Sequence, residues 1–296
     1  MAWRVITVES PARLSTQDNK LVIKQDEEVL IPLEDIDSLV LDNSQIVITL
    51  NLIAKLAGNN IATVICDDKH HPASVILPYS QHSRQARISR EQLAMSEPLK
   101  KQLWKKIIIQ KISNQAKVMH KLGFDNSELL GLAQTVRSAD SNNRESVAAQ
   151  LYFSALLDDA TRRKPIWHNA ALNYGYAIVR GAIARSVAAR GLVSSQGIFH
   201  RSELNNFNLV DDFIEVFRPA VDELVLTTAS VRHTGGEDTR LSREDRNIIV
   251  DILNQHVIMN DKRFTVKHAC DMVIESFVQT IKSSNVADLS LPSISD

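Results

Sequence analysis

Cysteine is nearly absent from this chain. Cys66 and Cys270 are the only two among 296 residues, and neither sits in a CxxC or Cys/His zinc spacing. That argues against a disulfide scaffold and a thiolate metal centre, and it fits a reducing compartment. Phosphate-binding signatures are missing too. The sequence has no Walker-type loop, no GxGxxG fingerprint and no Ser-nucleophile elbow. An NTPase, a Rossmann enzyme and the common hydrolases therefore lose ground. No uninterrupted apolar run approaches the ~20 residues a membrane helix needs. The opening residues, through Trp3-Arg-Val-Ile-Thr-Val8, show no basic start, apolar core or small-residue cleavage site. A cytoplasmic protein without membrane contact is expected.

What is present is an ordinary soluble composition, 44% hydrophobic and 23% charged. The length allows two domains or one large one, with ample core. Formal net charge is −1, unlike a general nucleic-acid binder. Its distribution says more. Between His82 and Lys121 stand ten basic residues: Arg84, Arg87, Arg90, Lys100, Lys101, Lys105, Lys106, Lys111, Lys117 and Lys121. Only Glu91 and Glu97 oppose them. Such a stretch is either a solvated helix face or a surface that draws a phosphate backbone.

The pattern divides the chain into unlike halves. Up to residue 77 it reads as strands: Trp3–Val8, a hairpin turning at Asp18-Asn19, Glu28–Pro32, Ile36–Leu41 and Ile61–Cys66. A short helix over Thr49–Ala57 carries Leu50, Ile53, Ala54 and Ala57 on one face and ends at Gly58-Asn-Asn60. After Pro78 helical spacing dominates. Ser96 reads as an N-cap with Pro98 in the first turn. Leu172, Tyr176, Val179, Ile183 and Val187 form one stripe, and Val266, Cys270, Val273, Phe277 and Ile281 another. Ser242-Arg-Glu-Asp245 resembles a capping box. The expected fold is α+β: a small β-rich domain at 1–77, a linker at 78–84, a larger all-α catalytic domain at 85–282 and a frayed tail at 283–296. Arg232–Arg240 reads as a charged loop.

Three polar positions in the helical half stand out. Glu145 opens the run Glu145-Ser-Val-Ala-Ala-Gln-Leu-Tyr-Phe153, with Ala148, Ala149 and Tyr152 on its own side. It is either an exposed helix-start acid or a metal ligand. His200 closes Gly197-Ile-Phe-His200, and a lone histidine is commonly structural. Glu215 follows Asp212 by three residues in Asp211-Asp-Phe-Ile-Glu215. If that segment is helical, both acids share a face, and they are either solvated or joined by a cation. Two carboxylates and an imidazole suit a hard divalent cation and leave positions open for substrate, provided the three converge. Asp67, Asp68, His70 and His71 read as a polar turn. His233, Glu237 and Asp238 read as a loop without metal-ligand spacing.

These residues resemble the universal CRISPR-associated spacer-acquisition integrase and endonuclease, in its type II form. The likeness spans nearly the whole chain. It rests on Trp3-Arg-Val, Ile65-Cys-Asp-Asp-Lys69 with Pro72, Glu145–Phe153, Leu172-Asn-Tyr-Gly-Tyr-Ala177, Gly197–His200 and Asp211–Pro219. The resemblance implies a metal-dependent DNA integrase with Glu145, His200 and Glu215 as catalytic metal ligands, Asp212 as a supporting acid and Mg²⁺ or Mn²⁺ as cofactor. It implies a homodimer formed through residues 1–77. That dimer would join a small second CRISPR-associated protein in a heterohexamer on double-stranded DNA with single-stranded ends and on repeat DNA. A type II effector nuclease and a ring-forming accessory protein are further implied partners. Phosphate contact then becomes an expectation for Arg84, Arg87, Lys100, Lys101, Lys105, Lys106 and Lys111. A branched-DNA nuclease and a non-catalytic DNA-binding scaffold are the alternatives.

Overall fold

The computed structural model describes residues 4–68, 72–77, 85–157, 166–229 and 240–295. Arg84, the 78–84 linker, His70, His71 and the loop residues His233, Glu237 and Asp238 lie outside them.

Asp18 and Asn19 adopt φ of 48° and 58°, the left-handed pair that a tight hairpin needs. They join β2 (Arg13–Gln17) to β3 (Lys20–Lys24), and β4 (Glu28–Pro32) extends the ladder. β6 (Val47–Ile48) completes a four-stranded sheet in the order β4-β3-β2-β6. A second sheet runs β1-β5-β7-β8, from Arg4–Val8, Ile36–Leu41, Ala62–Cys66 and Pro72–Ile76. Its first three strands are parallel, and β8 is antiparallel to β7. Helix α1 (Leu50–Gly58) starts where the Thr49 side chain accepts the Leu52 N–H at 3.3 Å.

The β1-β5-β7-β8 sheet is covered on both faces. Leu39 and Leu41 pack with Leu14, Leu21, Leu52 and Leu56, while Val40 and Val64 belong to the helical core. Strand alternation sends neighbouring side chains to opposite faces, so one strand serves two cores. Buried charge pairs cross the same boundary. Arg246 meets Asp42 at 2.6 Å, and Arg185 meets Asp37 at 3.5 Å.

The helical part comprises α2 (Gln85–Leu93), α3 (Glu97–Lys121), α4 (Ser127–Gln134), α5 (Arg144–Leu156), α6 (Trp167–Ala189), α7 (Asn208–Ile214) and α8 (Arg218–Leu224). After a π-helical turn at Val225–Ala229 come α9 (Arg243–Val250) and α10 (Val266–Ser283). Ser96 caps α3, and Ser242 with Asp245 forms the full capping box on α9. All five residues of each apolar stripe, on α6 and on α10, are buried. Helices α6 and α8 touch closely at Gly175, where a Cβ would lie 2.5 Å from Val221.

Two expectations for this half need correction. It is mostly helical rather than all-α, because β9 (His256–Met259) and β10 (Lys262–Thr265) form an antiparallel hairpin. Residues 284–295 are also not a frayed tail. Leu289 and Ile294 are 1% and 2% exposed, Ser293 bridges to Ile258, and Lys106 donates to the Val286 and Leu289 carbonyls. Spaced apolar residues and lysine donors on α3 hold a segment whose serine content suggested disorder.

Candidate active site

Helix α3 is the floor of the site. It is apolar along Leu103, Ile107, Ile108, Ile112 and Ala116, yet Lys111, Asn114 and Gln115 are buried among these residues. Buried polar side chains need partners. Asn114 donates to the Val216 and Pro292 carbonyls, each at 3.0 Å. The first of these bonds anchors the break between α7 and α8, where helix-end carbonyls lack intrahelical donors. Glu215 sits at that break, as the residue closing α7.

Lys111 joins the two carboxylates. Its Nζ donates to Glu145 Oε1 at 2.6 Å and makes an ion pair with Glu215 Oε2. Arg218 Nε holds the other Glu215 oxygen at 2.8 Å. Burial by itself would neutralise these groups. The positive charges of Lys111 and Arg218 overcome it and pull the Glu215 carboxyl down to about 2. For Lys111 burial acts downward, but Glu215 and Glu145 raise the ammonium above its ordinary value. Glu145 reaches the cluster because α5 begins beside it. Asp140 caps that helix, accepting the Arg144 and Glu145 N–H groups at 2.8 and 3.0 Å. A cavity of about 240 Å³ opens over the cluster, with Tyr176, Arg218 and Asp222 in its walls. Tyr176 O–H donates to Asp222, and the Arg218 guanidinium lies 4.5 Å from the centre of the Tyr176 ring.

His200 is organised separately. Asp212, wholly buried, accepts N–H groups from Ile198, from Phe199 at 3.2 Å and from His200 at 3.0 Å. Its Oδ1 also meets His200 Nδ1 at 2.8 Å. That hydrogen bond raises the His200 pKa against the effect of burial, and the Asp212 and Glu215 charges add to it. Phe199 stacks on Trp104 with centroids 4.3 Å apart, and the His200 ring meets Trp104 edge-on at 5.5 Å. Gly197 permits this loop, since a Cβ there would collide with the His200 carbonyl and lie 2.8 Å from Asp212.

Of the three expected ligands, Glu145 and Glu215 thus meet on one cation, and that cation is Lys111. His200 stands outside the cavity walls. Among the described residues, no group of three or more His, Cys, Asp or Glu side chains is gathered closely enough to hold a metal. Asp212 and Glu215 do not share a cation and are not solvated. They leave α7 toward different partners, and both are buried.

The expected phosphate-contact residues are dispersed. Arg87 pairs with Glu91 and Lys100 with Glu97. Lys106 holds the C-terminal segment, and Lys111 belongs to the carboxylate cluster. Lys101 is exposed and Lys105 half-buried. Sequence reasoning placed Lys111 on the wrong surface and passed over Arg218, Asp140, Tyr176 and Asp222. A usable signal existed for the first. Lys111, Asn114 and Gln115, at spacings of three and four, put a polar patch on an otherwise apolar helix face.

Known proteins resemble this chain in sequence and in fold. The family model for CRISPR associated protein Cas1 matches residues 5–255. A CRISPR-associated endonuclease Cas1 from Neisseria meningitidis serogroup C is 40% identical, over 99% of this chain and 97% of that protein. One from Francisella tularensis subsp. novicida is 25% identical, over 86% and 88% respectively. Among solved structures, a casposase bound to integration product superposes with a TM-score of 0.78 at 19% identity, covering 96% of this chain and 92% of that one. A CAS1 protein from Thermotoga maritima gives 0.77 at 15% identity, covering 94% and 97%. Among the described residues, no helix is long and apolar enough to cross a membrane. The full-length match to the Neisseria protein and the span of the family model establish that this chain belongs to the CRISPR associated protein Cas1 family.

Proposed function

We propose that this protein is a metal-dependent DNA integrase and endonuclease that inserts short DNA fragments at repeat boundaries. The observation that carries the reading is the convergence of Glu145 and Glu215 on a single positive centre. An ammonium there stands where a hard cation would be held, and two carboxylates are a fitting donor set. His200 suits the third ligand role. A histidine tied through one nitrogen to a carboxylate is the usual arrangement for coordination through the other, and Nδ1 is tied to Asp212. Glu145, Glu215 and the His200 Nε2 would hold Mg²⁺ or Mn²⁺. When bound, such an ion polarises a phosphoryl oxygen and stabilises the leaving oxygen.

The residues around the cavity supply the rest. Arg218 is kept protonated by Glu215 and Tyr176 and offers its guanidinium to a phosphodiester. Asp222 holds the Tyr176 hydroxyl in the cavity wall. In the reaction, a 3′-hydroxyl oxygen of the incoming DNA bonds to phosphorus while the bond to the resident 3′-oxygen breaks. One phosphodiester replaces another, so no nucleotide energy source is required. In-line positioning carries the step.

Two structural neighbours of the same fold are complexes described as Cas6-RT-Cas1–Cas2. They support the small second protein as a partner here, and the casposase bound to integration product supports DNA. Exposed Val29 and Leu30 on the edge strand β4 support a homodimer through the N-terminal sheets, since an exposed strand edge calls for cover.

The test is strand joining by purified protein with the small partner, fragment DNA and supercoiled repeat DNA. Glu145→Ala, His200→Ala and Glu215→Ala should each abolish joining. Full joining by any one removes that residue from the site. Cutting without joined product favours the branched-DNA nuclease. DNA binding that is unchanged by complete chelation, with neither joining nor cutting in either condition, favours a scaffold.

A further inference from the structure

The Lys111 ammonium and the proposed metal ion would compete for one place. Lys111 is 7% exposed, and its Nζ touches one oxygen of each carboxylate. Counting formal charges, Glu145 and Glu215 are balanced by Lys111 and Arg218, so the cluster is neutral as it stands. Without Lys111, two carboxylates, Glu215 buried and Glu145 28% exposed, would face each other with only Arg218 between them and repulsion. With a divalent ion added beside Lys111, three positive centres would crowd the same two acids. Neither arrangement is favourable at short range in a site only partly open to water.

We propose that Lys111 is an interchangeable counter-ion: it holds Glu145 and Glu215 in place in the metal-free protein and leaves them when the divalent cation binds. This inference rests on the metal-dependent reading above and assigns a positioning role to a residue outside the ligand set. The side chain has the means to move. Lysine has a flexible four-carbon stem and rotatable donors, unlike the planar fork of arginine. Lys111 also lines the 240 Å³ cavity, so a displaced ammonium has space beside the cluster. Arg218 remains on the other oxygen of Glu215, and that carboxylate stays oriented through the exchange. Loading then takes the cluster of Glu145, Glu215 and Arg218 with its counter-ion from neutral to a single net positive charge, with the displaced ammonium beside it, which favours an incoming phosphodiester.

Calorimetric titration with Mn²⁺ reads the competition directly. Lys111→Met should bind Mn²⁺ more tightly than wild type, on the order of ten- to a hundredfold, the scale on which groups around a metal's ligands move its affinity. Its melting temperature should lie below wild type without metal and rise more on adding Mn²⁺. Equal or weaker affinity in the folded variant overturns the exchange while leaving the metal site intact. Absence of Mn²⁺ binding in both proteins overturns the metal reading and the exchange together. Binding by the variant alone supports the exchange most directly. A second measurement needs no variant. Amine-reactive labelling of the wild-type chain, read by peptide mass spectrometry, should rise severalfold at Lys111 on adding Mn²⁺ and stay constant at exposed Lys101. Unchanged or reduced labelling at Lys111, in a sample that binds Mn²⁺, overturns the proposal.

Discussion

Asp212 grips His200 from two sides, accepting its backbone N–H at 3.0 Å and meeting its ring Nδ1 at 2.8 Å. The same carboxylate receives the N–H groups of Ile198 and Phe199. A residue expected only to support catalysis is the organiser of a loop.

That arrangement separates stability from activity. Asp212→Ala should cost about 3 kcal/mol or more, because buried N–H donors lose a charged acceptor. His200→Ala should cost less, about 1–2 kcal/mol, since its side chain is 39% exposed and Asp212 keeps three backbone N–H donors when the imidazole hydrogen bond and the aromatic edge contact are lost. Urea unfolding of both variants reads the difference. In strand joining the order should reverse, with His200→Ala the more damaging.

Gly197 offers a subtler probe. Gly197→Ala adds one methyl group against the His200 carbonyl and Asp212, where only backbone movement can make room. We expect a loss of about 1–3 kcal/mol and a displaced imidazole. The His200 ring resonances should shift in the NMR spectrum, while those of residues near Glu145 stay in place.

The C-terminal segment should be stabilising. Removing residues 284–296 strips Leu289 and Ile294 from the core, leaves Lys106 without its carbonyl partners in that segment and takes the Pro292 carbonyl from Asn114. Burial of two aliphatic side chains is worth roughly 3–6 kcal/mol. The truncated protein should melt well below the full chain. Equal melting temperatures would show that the segment contributes nothing to the core.

Asp271 predicts a pH dependence distant from the site. Burial opposes its ionisation, yet Arg185 at 3.0 Å, the Ser186 hydroxyl at 2.5 Å and Arg190 hold the carboxyl below its ordinary value of 3.8. Two other acids share these arginines, Asp37 on Arg185 and Glu275 on Arg190. A depressed carboxyl contributes stability that is full above the ordinary value and lost as pH falls through the lowered one. Asp271→Asn should therefore be less stable at pH 7 by about 1–2 kcal/mol, allowing for partial exposure. The gap should close as the pH drops below 3.8.

Local chemistry was legible in the sequence, and long-range pairing was not. The Asp18-Asn19 turn, the Ser96 cap and the Ser242–Asp245 box were each readable because every partner lies within four residues. The β9–β10 hairpin carried a similar signal in Asn260-Asp261, with φ of 48° and 59°, and went unread inside a helical context. For the C-terminal segment, composition misled. Serine content suggested exposure, while Leu289 and Ile294 decided its fate.

By itself the sequence determined the β-rich start and the mostly helical remainder, the apolar stripes of α6 and α10 and the family motifs around Glu145, His200 and Glu215. Periodicity and capping depend on neighbours along the chain, so one dimension suffices for them. Only the tertiary structure decided which charges meet. It set Lys111 between Glu145 and Glu215, 34 residues from the former, and assigned Asp212 to His200 rather than to Glu215. Coulomb energy falls with distance in space and ignores separation along the chain. A lysine that reads as part of a DNA-facing basic run therefore becomes, once folded, the counter-ion of the site.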